Sequence, residues 1–381
     1  MAAPFLYTRS SGNGTSQDAA MRAAFDGDLR RLRGTVKSLD DPRVIFSFDM
    51  GYGLGVLHIA AAGGHLEVCK YLVEELGGDV NAPAPGVVDF AGVTPFMLSA
   101  QSGDVSTVKY LLDHGGDLIK ADAKGRTVLH HAAGIGSCKV TEFLLSKGVP
   151  VDIYCGRGTP LHQAATNEHD KTVKILLEHH ADPNTTVIGL GTALMGALLY
   201  RSLKCMKLLI KAGADVNCKG CAMTPLVFAT GRGGYTNYIQ FLLKAGADPN
   251  IPDDLGRLPI EFAAVRDCKE EVEMLFPLTN PIPNVRNWSI EGVISYAKIQ
   301  DKKPMEQKHV EKRKAFLKLQ ANTAFKQKEY KLASQLYGLA IDHAESAALY
   351  ANRSVCKLLM GDGESALSDA LRCRMLRPDW A

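Results

Sequence analysis

The stretch that decides the fold spans residues 158–184 and reads GTPLHQAATNEHDKTVKILLEHHADPN. Thr159 is followed by proline, which is typical of a helix start, because the hydroxyl caps the helix and proline suits its first position. Val173, Leu176 and Leu177 then have the i, i+3, i+4 spacing of an apolar helix face. The closing Ala-Asp-Pro-Asn is typical of a turn. The stretch therefore predicts two short helices and a turn.

This pattern recurs along most of the chain. The positions equivalent to Thr159 are Gly55, Thr94, Thr127, Thr192, Thr224 and Leu258. Successive positions in the full series are separated by 39, 33, 32, 33, 32 and 34 residues. A period near 33 residues indicates a stack of repeated helix pairs, in which each repeat buries its apolar face against its neighbours.

The period and the Thr-Pro-Leu-His element resemble the ankyrin repeat. The resemblance implies an all-α ankyrin-repeat solenoid over residues 17–277, with about seven repeats and a degenerate N-terminal cap. We expect a flexible N-terminus at residues 1–16. The loops that join successive helix pairs are called fingers. The long first interval contains an insertion at residues 82–90, which is expected to lengthen one finger. Phe276 and Pro277 are expected to close the array.

A second type of repeat is predicted from residue 312 onward. Its small and aromatic positions are Ala321, Ala324, Tyr330, Ala333, Tyr337 and Ala340. They resemble positions of the tetratricopeptide repeat, and residues 354–378 match a second copy. We therefore expect a connector and basic helix at residues 278–311, then a partial tetratricopeptide array at residues 312–381, truncated after two repeats. The combination resembles plant proteins in which ankyrin repeats precede tetratricopeptide repeats.

The composition is that of a folded protein without a strong bias toward nucleic acid. Hydrophobic residues make up 46% and charged residues 22% of the chain, and 44 Lys and Arg against 41 Asp and Glu give a formal charge of +3. This balance does not predict nucleic acid as the main partner. No apolar run has membrane-spanning length, and the nine cysteines form no disulfide pattern. We therefore expect a cytoplasmic protein that does not insert into membranes.

One stretch concentrates positive charge. Residues 302–318 contain seven Lys or Arg side chains and two Glu. One interpretation is a solvated helix face, and the other is a nuclear-localisation signal. The nucleus is therefore the second predicted compartment.

The sequence lacks the motifs of common enzyme classes. It has no phosphate-binding Walker loop, no nucleophile elbow, no His-Glu-x-x-His motif and no protein-kinase motifs. Cys218 and Cys221 have the spacing of zinc ligands, but no second pair lies nearby. The histidine of the tetrapeptide, as at His130, is expected to bridge neighbouring repeats. We therefore predict a non-enzymatic protein without cofactor or metal.

The predicted binding surface is the concave groove formed by the first helices and the fingers. Side chains one, four and five places after the tetrapeptide histidine position are expected to face this groove. The candidates are Leu98, Gln101, Gln163, Asn167, Leu199, Tyr200, Phe228 and Arg232. The last four form the most binding-like patch, because aromatic and arginine side chains dominate interface energies, although Leu199 and Phe228 also suit packing between helices. Phe90 and Tyr154 are the candidates at finger tips.

The C-terminal repeats carry a second candidate site. Residues 318–325 and 350–353 are similar to the openings of the first two repeats of carboxylate-clamp tetratricopeptide domains. In that family the positions of Lys318, Asn322 and Asn352 hold the terminal carboxylate and last Asp of heat-shock chaperone tails. Ala321 departs from the family's glycine, and the third-repeat clamp residues would lie beyond Ala381. We therefore expect a clamp that is incomplete within these residues, in a chain cut from a longer one.

These patterns favour a protein-interaction adaptor, whose ankyrin groove binds a protein client and whose C-terminal module docks a chaperone. The alternative is a regulatory or targeting subunit of a phosphatase or ubiquitin-ligase complex without a chaperone link. A nuclear cofactor bound to nucleic acid is a third interpretation, which only the basic stretch supports.

Overall fold

The structure, a computed structural model, describes residues 15–48, 53–85, 90–187, 189, 191–218, 223–301 and 307–380. Within these residues the regular structure is helical, and β-pairing is limited to isolated bridges between Cys155 and Gly158 and between Val187 and Gly191. The predicted all-α class is confirmed. The chain divides into two compact units, Met1–Pro183 and Asn184–Ala381. The predicted N-terminal segment at residues 1–16 lies almost wholly outside the described residues.

The first unit consists of successive pairs of short helices. They are α1 (Ser16–Asp26), α2 (Leu29–Lys37), α3 (Val56–Ala62), α4 (Leu66–Lys70), α5 (Pro95–Ser102), α6 (Val105–Asp113), α7 (Val128–Ile135), α8 (Cys138–Ser146), α9 (Pro160–Thr166) and α10 (Asp170–Glu178). A 3-10 helix (Pro42–Ser47) follows α2, and a π-helical turn (Tyr71–Glu75) extends α4. The first helices of successive pairs pack in a row, from α1 through α3, α5 and α7 to α9. Ala60, Ala132 and Ala164 are fully buried in this row, where their small side chains let the helices approach closely.

The second unit continues the helix pairs and ends in longer helices. They are α11 (Ala193–Leu199), α12 (Leu203–Lys211), α13 (Pro225–Thr230), α14 (Thr236–Lys244), α15 (Pro259–Val265), α16 (Lys269–Leu275), α17 (Ile290–Asp301), α18 (Gln307–Lys326), α19 (Tyr330–His343), α20 (Ala347–Leu359) and α21 (Gly363–Leu376). A 3-10 helix (Phe276–Leu278) separates α16 from the connector. Helix α13 packs against α15, and α15 packs against α17.

Helices α18 to α21 pack in sequence, each against the next. Their short loops make them antiparallel neighbours. The small and aromatic residues singled out in the sequence meet in their core, where Ala321, Ala333 and Tyr337 are buried and Tyr330 packs against the cluster. The predicted boundary between connector and C-terminal repeats, at residues 311 and 312, falls inside α18, because residues 307–326 contain no glycine or proline that would end the helix.

Threonine and histidine side chains determine where the first helices begin. The hydroxyl of Thr94 accepts a hydrogen bond from the backbone N–H of Met97, at 3.2 Å. The backbone N–H of Thr127 donates to Nδ1 of His130, at 3.2 Å, and Nε2 of that histidine donates to the carbonyl of Gly158, at 3.1 Å. The prediction that this histidine bridges neighbouring repeats is confirmed.

Asparagine side chains at the ends of the turns also join the repeats. The amide Nδ2 of Asn184 donates to the carbonyl of Gly213, at 3.0 Å, and its Oδ1 accepts from the backbone N–H of Asp215, at 2.7 Å. Asn217 makes the same pair of bonds to the following repeat. Gly213 has φ of +91°, a left-handed conformation that favours glycine. The Asp-x-Asn sequence, which spans residues 182–184 and 215–217, therefore fixes the spacing between repeats as well as the turn.

Candidate protein-binding surface

The predicted groove residues of the N-terminal unit differ in exposure. Leu98 on α5 is 2% exposed, so the prediction that it faces a partner needs correction. Because α5 packs between α3 and α7, this side chain belongs to the core. Gln101 and Gln163 are half-buried, and Asn167 is exposed with its Nδ2 donating to the carbonyl of Gln163, at 2.8 Å.

Gln101 covers a buried charged network that the sequence analysis did not single out. Its Nε2 donates to Nδ1 of His131, at 2.9 Å, and Nε2 of His131 donates to the carboxylate of Asp122, at 3.3 Å. The guanidinium of Arg126 lies 2.8 Å from the same carboxylate. Burial alone would raise the pKa of Asp122, but the hydrogen bond from His131 and the charge of Arg126 outweigh it and lower the pKa to about 2. The ionised aspartate holds the finger at residues 122–126 against α7.

A sequence signal for this finger exists. Asp122 begins an Asp-x-x-Gly-Arg element, and Asp253 begins another in the C-terminal unit. There the backbone N–H of Arg257 donates to the Asp253 carboxylate at 2.8 Å, and its guanidinium lies 3.3 Å from the second oxygen. The intervening Gly256 has φ of +82°. The spacing of aspartate, glycine and arginine therefore identifies fingers that are closed by an ion pair.

The buried histidines make the N-terminal unit sensitive to acid. Burial lowers the pKa of His130 from 6.5 to about 4, against the opposing effect of its hydrogen bond to Gly158, and burial also lowers the pKa values of His58 and His131. The unfolded chain therefore binds more protons than the folded one below about pH 6.5. We expect the free energy of unfolding to decrease as the pH is lowered from about 6.5 to about 4. The protonation of His130 alone accounts for at most about 3 kcal/mol of this decrease.

Urea unfolding followed by circular dichroism at several pH values measures this effect. His130→Gln should reduce the dependence of stability on pH, whatever its effect on stability near neutrality. His179→Gln is the matched control, because His179 is an exposed histidine of the same unit. An identical dependence in His130→Gln and in the wild type would contradict the prediction.

In the C-terminal unit the predicted patch separates into two parts. Leu199 and Tyr200 follow one another at the end of α11 and are 36% and 50% exposed. Phe228 is half-buried on α13, and the guanidinium of Arg232 lies 4.6 Å from the centre of its ring. The second pair lines a cleft, whereas Leu199 and Tyr200 do not line it.

A second arginine supports the turn that carries Arg232. The guanidinium of Arg201 lies 4.7 Å from the ring centre of Tyr235 and donates to the carbonyl of Gly233, at 2.8 Å. The ring of Tyr235 is buried, and its hydroxyl donates to the carbonyl of Leu198, at 2.9 Å. These contacts tie the backbone that follows Arg232 in the turn to the end of α11.

The cleft beside Phe228 and Arg232 has a volume of about 400 Å³. Arg313 of α18 and His343 at the end of α19 line its far side. The guanidinium of Arg313 donates to the carboxylate of Asp254 in the neighbouring finger, at 3.3 Å. The C-terminal helices therefore complete a surface that the sequence analysis assigned to the repeats alone.

The three carboxylate-clamp candidates lie on α18 and α20. The hydroxyl of Tyr337 donates to Oδ1 of Asn322, at 2.6 Å, and the amide of Asn352 also hydrogen-bonds to this hydroxyl. Lys318 is exposed on α18. The structure thus brings the two amides around one hydroxyl.

The remaining candidates are not among the residues that line the cleft. Tyr154 is 43% exposed on its finger. Phe90 is half-buried at the end of the insertion, of which residues 86–89 lie outside the described part of the chain. Cys218 is half-buried, and burial raises the pKa of its thiol, whereas Cys221 lies outside the described part.

The described residues also bear on two other kinds of site, a metal centre and a membrane-spanning helix. They contain no group of three or more His, Cys, Asp or Glu side chains placed to hold a metal ion. Among the helices given above, none is long and apolar enough to cross a membrane.

The stacked helix pairs, threonine caps and bridging asparagines define a repeat protein whose exposed helix and finger positions suit protein binding. A sequence model of the family described as "Ankyrin repeats (3 copies)" matches residues 20–122, 57–154, 116–187, 149–220 and 194–287. The chain belongs to the ankyrin-repeat family. The match ends before α17, so it does not extend to the C-terminal helices.

The chain is also similar to individual proteins. It is 30% identical over 218 residues to the E3 ubiquitin-protein ligase XBAT32 of Arabidopsis thaliana, covering 50% of this chain and 41% of that protein. It is 27% identical over 221 residues to the rice protein named "Probable E3 ubiquitin-protein ligase XBOS32", covering 50% of this chain and 43% of that protein. The chain spans less than half the length of these relatives. The crystal structure of the human ASB11 ankyrin repeat domain matches with a TM-score of 0.49 and 26% identity, over 63% of this chain and 96% of that one.

These relatives contradict the prediction that the protein is not an enzyme, because they bear the names of ubiquitin ligases, which are enzymes. Local catalytic motifs do not decide this question. An ankyrin-repeat sequence carries a binding surface and leaves open what chemistry the whole protein performs.

Proposed function

We propose that the ankyrin repeats select a protein substrate for ubiquitin transfer. The observation that carries this proposal is the similarity, over half of the chain, to proteins named E3 ubiquitin-protein ligases. Exposed Tyr200 and the stacked pair of Phe228 and Arg232 support it, because such side chains dominate binding energies at protein interfaces. The proposed compartments are the cytoplasm and the nucleus.

Quantitative measurement of ubiquitin-modified peptides tests this proposal. It compares cells that lack the protein with cells in which the protein is restored. We expect one set of proteins to carry less ubiquitin in the cells that lack the protein, and to regain it when the wild-type protein is restored. The double variant Tyr200→Ala/Arg232→Ala should restore less, because each truncation weakens a hot-spot contact by about 1 kcal/mol or more. The affected proteins should also cross-link to the wild-type chain. Unchanged ubiquitin levels on all cross-linked proteins would contradict the proposal.

We propose as a second function that α18 to α21 are tetratricopeptide repeats that hold the C-terminal carboxylate of a chaperone tail. The contact between Tyr337 and Asn322 supports this, because it uses the amide oxygen as acceptor and orients the amide NH₂ as a donor. A chain-end carboxylate needs such donors and a cation, which Lys318 supplies.

Titration calorimetry with two forms of one acidic peptide tests the clamp. The free-acid peptide should bind more tightly than the amidated peptide, and Lys318→Ala should weaken the free-acid form by roughly 1.5–3 kcal/mol, the range for a hydrogen bond to a charged group. Lys326→Ala on the same helix is the control. Equal binding of the free-acid and amidated peptides would show that α18 to α21 hold no carboxylate.

A further inference from the structure

We infer that the cleft between α13, the finger at residues 253–257 and α18 binds an acidic peptide segment that also carries apolar side chains. This inference rests on the proposed function in one respect, namely that the occupant of this surface is a protein. It goes further by assigning a site and the charge of the segment that fills it.

The charges that line the cleft are not balanced. The guanidinium of Arg257 lies 3.3 Å from the carboxylate of Asp253, and that of Arg313 lies 3.3 Å from the carboxylate of Asp254. Arg232 is the third arginine, and no carboxylate of the described residues forms an ion pair with it. One positive charge therefore remains for a ligand.

Aromatic rings hold two of the arginines in place. The guanidinium of Arg232 lies 4.6 Å from the ring centre of Phe228, and that of Arg257 lies 4.3 Å from the ring centre of Phe262. Stacking occupies the flat face of a guanidinium and leaves its N–H edge to donate hydrogen bonds. The ring already restricts the motion of the arginine side chain. Little further conformational entropy is therefore lost when a carboxylate binds this edge.

The remaining walls indicate which anion fits. Asp253 and Asp254 line the same cleft and reduce the charge of the three arginines to one net positive charge, which a single carboxylate neutralises and a dianionic phosphate exceeds. Val227, Leu255 and the two rings supply apolar surface beside Arg232. A glutamate or aspartate next to an apolar residue matches both the charge and the apolar surface of the cleft. A phosphorylated residue next to an apolar residue matches only the apolar surface.

Fluorescence anisotropy with short peptides, blocked at both ends, tests the inference on the full chain. One peptide alternates Glu with Leu, the second replaces Glu with Gln, and the third replaces it with phosphoserine. The blocked ends remove any contribution from a carboxylate clamp. We expect the Glu peptide to bind at least about tenfold more tightly than either other peptide, a difference of about 1.4 kcal/mol. Added salt should reduce this difference.

Variants locate the site. Arg232→Gln should remove most of the preference for Glu over Gln, and Arg286→Gln, which changes an exposed arginine outside the cleft, should retain it. If circular dichroism shows that Arg232→Gln does not fold, Arg313→Gln provides the second test. It should also weaken binding of the Glu peptide, because it removes one of the positive charges that line the cleft.

Equal binding of the Glu and Gln peptides, tighter binding of the phosphoserine peptide, or an equal loss in Arg286→Gln and Arg232→Gln would overturn the inference. These results are independent of the ubiquitin measurement in cells. Peptide binding without any effect on ubiquitin levels would reject the proposed function alone, and the reverse pattern would reject the site for an acidic peptide alone.

Discussion

Replacing Glu271 by glutamine is expected to lower the free energy of unfolding of the C-terminal unit by about 3 kcal/mol. Glu271 is fully buried at the start of α16. Its carboxylate accepts hydrogen bonds from the guanidinium of Arg266 and from the hydroxyl of Thr236, each at 3.1 Å. Glutamine keeps the size of the side chain but removes the charge, which leaves a partly buried arginine without its counter-ion. Because the Arg266 side chain is 24% exposed, water limits the loss to the lower end of the range for buried pairs.

The neighbouring Glu270 provides the matched control. It lies on the same helix and is exposed, so Glu270→Gln makes the same chemical change at the surface. Urea unfolding should show a large loss for Glu271→Gln and little change for Glu270→Gln. Similar losses in the two variants would mean that the buried ion pair contributes no stability beyond the helix itself.

The parts of the fold that the sequence predicted depend on contacts within one turn or between adjacent repeats. His130 caps the helix three residues after Thr127, and this spacing is visible in the chain. The turn glycines, such as Gly213, follow the apolar helix positions at a fixed distance. Such local features repeat with the period, so each copy strengthens the prediction of the others.

The parts that the sequence did not predict depend on packing between distant elements. Arg313 reaches Asp254 across 59 residues, and only the position of α18 against the repeats brings them together. Leu98 occupies a groove position of its repeat, yet the neighbouring first helices bury it. Glu270 and Glu271 are adjacent in sequence and identical in type, and the packing of α16 alone decides which of them is buried.

A second large effect is expected at the interface between α20 and α21. Asp369 of α21 is 3% exposed and accepts two hydrogen bonds from the guanidinium of Arg353, at 2.8 and 2.7 Å. The ammonium group of Lys357 lies 2.8 Å from the same carboxylate. Burial would raise the pKa of Asp369, but the hydrogen bonds from Arg353 and Lys357 outweigh it and lower the pKa. This pair of helices should therefore lose stability when the carboxylate is protonated at low pH, and also when it is replaced.

Asp369→Asn should destabilise the pairing of α20 with α21 by about 2–4 kcal/mol, because it leaves two cations facing each other without an anion. Hydrogen exchange should speed up at amides of α20 and α21 and remain slow in α11 to α16. The control is Asp379→Asn, which removes an exposed partner of Arg377 and should leave exchange unchanged. Equal exchange in both variants would show that apolar contacts alone hold these helices. Faster exchange throughout the C-terminal unit would instead show that α18 to α21 and the ankyrin helices unfold together, as the ion pair between Arg313 and Asp254 allows.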